Sequence, residues 1–278
     1  MIGVAIAGLG RAGARYENVD AGKEGQTVIR NHLDAVLSIP DFAPVALIDP
    51  DFGACKAVAA RQPQLSPDIF MRNIDDLILE SADVIAVCGP TVSRKRDVLV
   101  ALEKRPRVLI VEKPLAPDLG EGEELVRRAE ELGIPLRVNF HRRLDPAHRR
   151  FREAFPGAPQ LVVFRYGKGL YNYASHLIDL LLDWFGPIDS VQAIGRPSKV
   201  PDPTVSFRCR MAAGFDAFAI GVDGLEYDQF EGEFLFPDRR MELANGGTEK
   251  RCYKPIGDLY YPGYAQLGAP EELEAPWP

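Results

Sequence analysis

The chain has few of the residues that build disulfide or metal scaffolds. It holds four cysteines, Cys55, Cys88, Cys209 and Cys252, and four histidines among 278 residues. No CxxC pair occurs and no Cys/His group has zinc spacing, which argues against a zinc fold or a disulfide-stapled secreted module. Reduced thiols point to the cytoplasm, and no metal site is expected. No apolar stretch approaches the roughly 20 residues that a spanning helix needs. The opening, Met1-Ile2-Gly3-Val4-Ala5-Ile6-Ala7, has no basic flank and runs straight into glycines, so it reads as a first strand and not as a signal peptide. Long Lys/Arg runs are missing as well. The net charge of −7 gives no reason to expect nucleic acid or a membrane as partner.

What is present is an ordinary globular composition, 46% hydrophobic, in a chain too long for most single cores. Two domains are expected, residues 1–141 and 142–278. In the first, apolar runs at 3–7, 44–48, 84–88, 108–111 and 136–139 alternate with helical patterns. Continuous apolar strands are what a parallel sheet covered on both faces requires. Asn73 with Asp76, Ser93, and Asp118 with Glu121 read as helix starts, and Gly133 as a stop. The fold class is therefore α/β, a doubly wound Rossmann sheet. Residues 17–30 are polar and glycine-containing, and read either as an insertion near the cofactor mouth or as a plain surface loop.

After residue 141 the pattern changes. Asp145-Pro146 reads as an N-cap with proline at the first helical position. A helix over 174–185 stops at Gly186-Pro187. Strands are expected at 161–166, 190–194, 205–212, 217–222, 229–236 and 241–244, with a turn at Asn245-Gly246-Gly247. This is a second α/β domain with an open, mainly antiparallel sheet. The segment from Pro255 onward reads as irregular structure, or as an arm to a partner.

Gly8-Leu9-Gly10-Arg11-Ala12-Gly13 is a GxGxxG motif directly after a strand. The first glycine permits the tight turn, the second lets a pyrophosphate approach the backbone, and the third allows close helix packing. Asp49 ends the second strand, where a carboxylate accepts from the adenosine ribose and repels a 2′-phosphate, favouring NAD over NADP. It lies 36 positions after Gly13, more than the usual spacing of about 20, and the 17–30 segment accounts for the excess. A turn aspartate before Pro50 is the competing reading.

Glu112-Lys113-Pro114 follows the strand at 108–111. A lysine at the carboxyl end of a parallel strand lies in the ligand crevice, where it can hydrogen-bond a reacting oxygen and move a proton. A cis bond at Pro114 is expected to set its direction. An exposed lysine after a strand is the alternative. Asn172, His176, Asp179 and Asp183, spaced four, three and four, share one helix face, and a histidine one turn from an aspartate suits proton transfer. A core histidine satisfied by a carboxylate is the alternative. Of the basic stretch Arg142, Arg143, Arg149, Arg150 and Arg152, the first two follow the last Rossmann strand and are the functional candidates. Tyr166, Lys168, Tyr171 and Tyr173 suit a hydroxyl-rich ligand, or simple packing.

In this order along the chain, these motifs resemble the Gfo/Idh/MocA oxidoreductases. The resemblance extends to Cys88-Gly89-Pro90-Thr91 at the family's proline-containing turn, to Asn139-Phe140-His141-Arg142-Arg143, and to the segment from Gly169 to Asp179. It implies NAD, with NADP less favoured, and hydride transfer at a hydroxyl or carbonyl carbon of a sugar, cyclitol or nucleotide-sugar. It also implies that Lys113 and His176 handle the proton, and that the second sheet makes a homodimer or homotetramer. The cofactor set is Gly8, Gly10, Arg11, Ala12, Gly13, Asp49, Cys88, Gly89, Pro90, Thr91, Glu112 and Lys113. The substrate set is Asn139, Arg142, Arg143, Tyr166, Tyr171, Asn172, His176 and Asp179, with Asn172 also in the catalytic group.

The chain departs from the family pattern in three ways. Position 172 is asparagine where the family has aspartate, Arg94 stands near a family histidine, and the chain is short. A non-catalytic nicotinamide-binding sensor and an imine or amino-compound reductase are the alternative functions.

Overall fold

Residues 1–15, 29–195, 200–258 and 260–273 are described by this computed structural model. The chain divides into two compact units, Met1–Asn139 and Phe140–Pro278.

In the first unit β1 (Ile2–Ala7), β2 (Phe42–Ile48), β3 (Phe70–Met71), β4 (Val84–Val87), β5 (Val108–Val111) and β6 (Leu136–Val138) form one sheet in the order β3-β2-β1-β4-β5-β6. Every pairing is parallel. Helices α1 (His32–Ser38), α2 (Phe52–Arg61), α3 (Thr91–Glu103) and α4 (Leu119–Glu131) cover it. Strand β1 shows why its sequence is apolar at every position. Val4 and Ile6 cluster with Leu33 and Val36 of α1 and Val58 of α2, while Ala5 and Ala7 belong to the cluster of Val98, Leu102 and Leu125. Each fully buried Val, Leu or Ile in these layers is worth about 1.5–3 kcal/mol.

In the second unit, α5 (His141–Leu144) and α6 (Pro146–Glu153) precede β7 (Leu161–Tyr166) and α7 (Ser175–Phe185). Strands β8 (Ile188–Ile194), β9 (Ser206–Met211), β10 (Asp216–Gly221), β11 (Phe230–Phe236), β12 (Arg239–Ala244) and β13 (Glu249–Tyr253) follow. Then come β14 (Pro255–Gly257), β15 (Ala265–Leu267) and β16 (Glu271–Glu272). The larger sheet runs β16-β13-β12-β11-β7-β10-β9-β8 and is antiparallel except at β7–β10. Its strands alternate. Val162, Phe164 and Tyr166 of β7 are buried with Leu177, Leu180 and Trp184 of α7, while Leu161, Val163 and Arg165 on the other face are half-buried.

Several local expectations hold. Asp118 caps α4 by accepting from the Glu121 amide, Asp145 caps α6 by accepting from Ala147, and Gly186 ends α7 with φ 82°. Others need correction. Asn73 makes no side-chain cap, and only Ile74–Asp76 forms a single 3-10 turn there, leaving Ile78 and Leu79 exposed. Ser93 lies inside the first turn of α3, which begins after Pro90, and its hydroxyl donates to the Pro90 carbonyl. The segment after Pro255 is not irregular throughout: β14 and β15 form a small antiparallel sheet, and β16 adds to β13. Of the 17–30 segment, residues 17–28 lie outside the described residues.

Candidate functional site

Because all strands of the first sheet are parallel, their carboxyl ends share one edge, and the cofactor candidates follow those ends one by one. Gly8 follows β1, Asp49 follows β2, Cys88 follows β4, Glu112 follows β5 and Asn139 follows β6. The strand order reverses between β1 and β4, the place where open α/β sheets leave a crevice. There the Cys88 amide donates to the Ala7 carbonyl at 2.6 Å.

The glycines fit a dinucleotide. Gly8 has φ +95°, a region that favours glycine. A Cβ on Gly13 would collide with the Gly8 carbonyl oxygen, so the third glycine is what lets the turn fold back on itself. A Cβ on Gly10 would meet nothing within 4 Å, which leaves the backbone there open to a pyrophosphate. Arg11 is exposed and Ala12 half-buried in the short helical turn that follows. Asp49 is tied into the same turn: Oδ2 accepts from the Leu9 amide at 2.8 Å and Oδ1 from the Asp51 amide at 2.9 Å.

Glu112, Asn139 and His32 meet beside Lys113. Glu112 Oε1 lies 3.0 Å from His32 Nε2 and accepts from Asn139 Nδ2 at 2.6 Å. Burial works against a charged His32, but bonding to Cys88 and Glu112 and the charges of both outweigh it, lifting the imidazole to about 10. Burial likewise pushes the Glu112 carboxyl up, but hydrogen bonds from His32 and Asn139 more than offset it and hold it below the usual range. The Lys113-Pro114 bond is cis, as the sequence reading expects. Arg94, buried in α3, donates to the carbonyl oxygens of Gly89 and Pro114. Arg94 thereby staples the Cys88-Gly89-Pro90-Thr91 turn to the Lys113-Pro114 segment. Lys113 is thus flanked by two held neighbours, Glu112 through its side chain and Pro114 through its carbonyl.

In the second unit α7 carries His176, 6% exposed, and Asp179, also 6% exposed. Arg143 Nε donates to Asp179 Oδ2 at 2.8 Å, and its Nη2 reaches Oδ1, a bidentate pair. Its Nη1 lies 3.6 Å from Asp183. Arg143 therefore braces α5 to α7 with all three of its nitrogens. Arg142 stacks on Phe230 with its guanidinium carbon 3.9 Å from the ring centroid, and donates to the Gly246 carbonyl. Tyr166 is a correction. It is fully buried in the unit core, accepts from the Val205 amide at 3.0 Å and donates to the Val205 carbonyl, so it is no pocket wall. Lys168 pairs with Asp228 and lies over the Tyr173 ring.

The start of the α7 segment is held by a strap. The Gly169 amide donates to Thr204 Oγ1, Leu170 to the Pro203 carbonyl, Tyr171 to Asp202 Oδ1 at 2.8 Å, and Asn172 to Asp202 Oδ2 at 3.0 Å. These are amides that a helical segment leaves unmet within itself. Tyr171 and Asn172 are exposed beyond the strap.

Sequence reasoning missed His32 and Asp202. His32 follows the polar segment read as an insertion; the signal for its helix was Asn31, which caps α1 by accepting from Asp34. Asp202 carries no motif, and its role arises from a contact 30 residues away. Among the described residues no group of three or more His, Cys, Asp or Glu is placed to hold a metal, and no helix is long and apolar enough to cross a membrane.

The model of the Gfo/Idh/MocA oxidoreductase family, with an NAD-binding Rossmann fold, matches residues 2–140, half of the chain. Myo-inositol dehydrogenase Hyg17 of Streptomyces leeuwenhoekii is 30% identical over 149 residues, 54% of this chain and 39% of that protein. The matched stretch spans about two fifths of the length of such curated relatives. Among solved structures, UDP-N-acetylglucosamine 3-dehydrogenase GnnA of Acidithiobacillus ferrooxidans shares the fold with a TM-score of 0.72 at 16% identity, covering 98% of this chain and 84% of that one. A super-repressor mutant of Gal80p from Saccharomyces cerevisiae shares it with a TM-score of 0.74 at 15% identity, covering 98% of this chain and 79% of that one.

Proposed function

This chain belongs to the Gfo/Idh/MocA oxidoreductases, and from that premise we propose that it is an NAD(H)-dependent dehydrogenase or reductase. Its substrate is a sugar, cyclitol or nucleotide-sugar, reacting at a hydroxyl or carbonyl carbon. The observation that carries the reading is the sheet edge, where an open glycine turn, Asp49 and Lys113 all follow ends of one parallel sheet. The names of the inositol and UDP-sugar dehydrogenases support the substrate class.

When bound, the nicotinamide supplies the hydride acceptor or donor. The backbone from Gly8 to Gly13 holds the pyrophosphate. Asp49, with one bond on each oxygen, keeps lone pairs for ribose hydroxyls and disfavours a 2′-phosphate, which makes NAD the preferred form. Lys113 donates to the reacting oxygen and His176 takes or gives its proton. Asn172 and Tyr171 offer neutral polar groups to substrate hydroxyls. Arg142 contributes shape and positive charge.

Lys113→Ala is expected to lower kcat by about a hundredfold or more, the usual worth of a positioned proton donor, with NADH affinity within about threefold. Undiminished turnover in this variant removes Lys113 from the chemistry. A second reading, a sensor that binds the nicotinamide without hydride transfer, is favoured by one observation: Asn172 is an amide that holds no charge and cannot act as a base. NADH binding with no hydride exchange across sugars, cyclitols and nucleotide-sugars would favour it.

A further inference from the structure

We propose that His141 is the proton relay of this protein, carrying protons between the buried His176 and solvent. The inference rests on the reading of His176 as the group that handles the substrate proton.

A buried base faces a problem that an exposed one does not. Each oxidised alcohol leaves a proton behind, and that proton must reach water before the next turnover. His176 sits in the first turn of α7 and is 6% exposed. Two rings from the chain around the start of α5 meet its imidazole edge-on. Phe140 lies 5.7 Å away between centroids, at 88°, and His141 4.9 Å away, at 67°. Phe140 cannot take up a proton. His141 can, and its side chain is exposed. An imidazole is the side chain whose ring nitrogens can take up a proton on one side and release one on the other. The ring centroids lie 4.9 Å apart, and the relay requires a bridging water or a ring rotation to bring a nitrogen of each into hydrogen-bond reach.

Arg143, Asp145 and His148, the charged neighbours nearest along the chain, have partners of their own. Arg143 on α5 is committed to Asp179 and Asp183 on α7. Asp145, which follows α5, accepts from the Ala147 amide and bonds His148, which burial holds down at about 4. The Arg143–Asp179 brace also fixes α5 against α7, and therefore His141 against His176.

The step balances without any further reactant. In oxidation the carbon–hydrogen bond breaks and its electron pair leaves with the hydride to the oxidised nicotinamide. The hydroxyl gives its proton to the site as the carbonyl forms. His176 takes up that proton, hands one to His141, and His141 releases one to water, so both rings return to their starting state. In reduction the protons run inward by the same route. His141 touches no reacting atom in this scheme and acts only through His176.

The test uses the whole protein and two variants, His141→Phe, which keeps an aromatic edge on His176, and His141→Gln. NMR of ring-labelled histidine reads the exchange of the His176 ring proton with water, a measurement that needs no substrate. The relay predicts exchange slowed about tenfold or more in both variants, and restored by added free imidazole in proportion to its concentration. It also predicts that kcat falls and is rescued by imidazole while KM stays unchanged. An exchange rate equal to that of the wild type, or one that imidazole leaves untouched, overturns the relay. The function reading fails separately: turnover that survives His176→Asn removes His176 from the chemistry whatever His141 does.

Discussion

His32 makes the cofactor edge sensitive to pH. Its pKa in the fold is about 10, against about 6.5 for a free imidazole, so the folded chain favours its protonated form. The stability this contributes is fully present below about pH 6.5 and is lost as pH rises toward about 10. On the acid side Glu112 is held low, and its contribution is lost only as pH falls through that depressed value. His32→Gln is expected to cost about 3 kcal/mol at pH 6, as for a buried pair that loses one partner, and much less at pH 10. Denaturant unfolding at the two pH values checks this; a gap independent of pH contradicts the ion pair. At this scale the sequence was legible in placement: Asp49 follows β2, and Glu112 and Lys113 follow β5, as their apolar runs lead one to expect. His32 was hidden because nothing local marks a histidine whose partners lie 56 and 80 positions away at Cys88 and Glu112.

Among the elements, two short pieces of backbone matter most. The glycine turn has no room at its third glycine, so Gly13→Ala must push the Gly8 carbonyl aside and open the turn. It is expected to weaken NADH binding by at least about tenfold and to destabilise the fold by about 1–3 kcal/mol, the range for overpacking. Gly10→Ala, whose Cβ enters open space, should leave stability nearly unchanged yet still weaken NADH binding. Equal losses of stability in the two variants would refute this division of roles. The strap at 202–204 is the second piece. Asp202→Ala frees the Tyr171 and Asn172 amides and is expected to cost about 1 kcal/mol, as for a lost cap, measured by thermal unfolding.

Strands with continuous or alternating apolar residues were legible to within two residues, as β5 and β7 show. Strand β13 was not, because Glu-Lys-Arg-Cys-Tyr lacks an apolar alternation and is set by pairing with β12. Ser93 misled for a related reason. A hydroxyl near a helix start serves equally well inside the first turn, bonded back to a carbonyl.

For the molecule as a whole, the open face of the second sheet bears on assembly. It is half-buried in one chain and laced with charge pairs, Arg165 with Glu233 at 3.0 Å and Arg208 with Asp216 at 2.8 Å. A homodimer or homotetramer through this face is expected. Light scattering that finds only a 30.7 kDa species refutes it. The passage from a parallel α/β sheet to a mainly antiparallel one was legible because a change of period, from βα alternation to strand after strand, is written along the chain. The pairing order of the second sheet was not, since β7 lies between β10 and β11, partners that no local pattern announces.

The central claim is that the glycine turn and Asp49 hold a nicotinamide dinucleotide. Titration of the purified protein with NADH and with NADPH, followed by nicotinamide fluorescence, tests it most directly. The account predicts saturable binding with NADH favoured by about tenfold or more, a preference that Asp49→Ser reduces. Binding of neither nucleotide would contradict it, since the turn would then serve the fold alone.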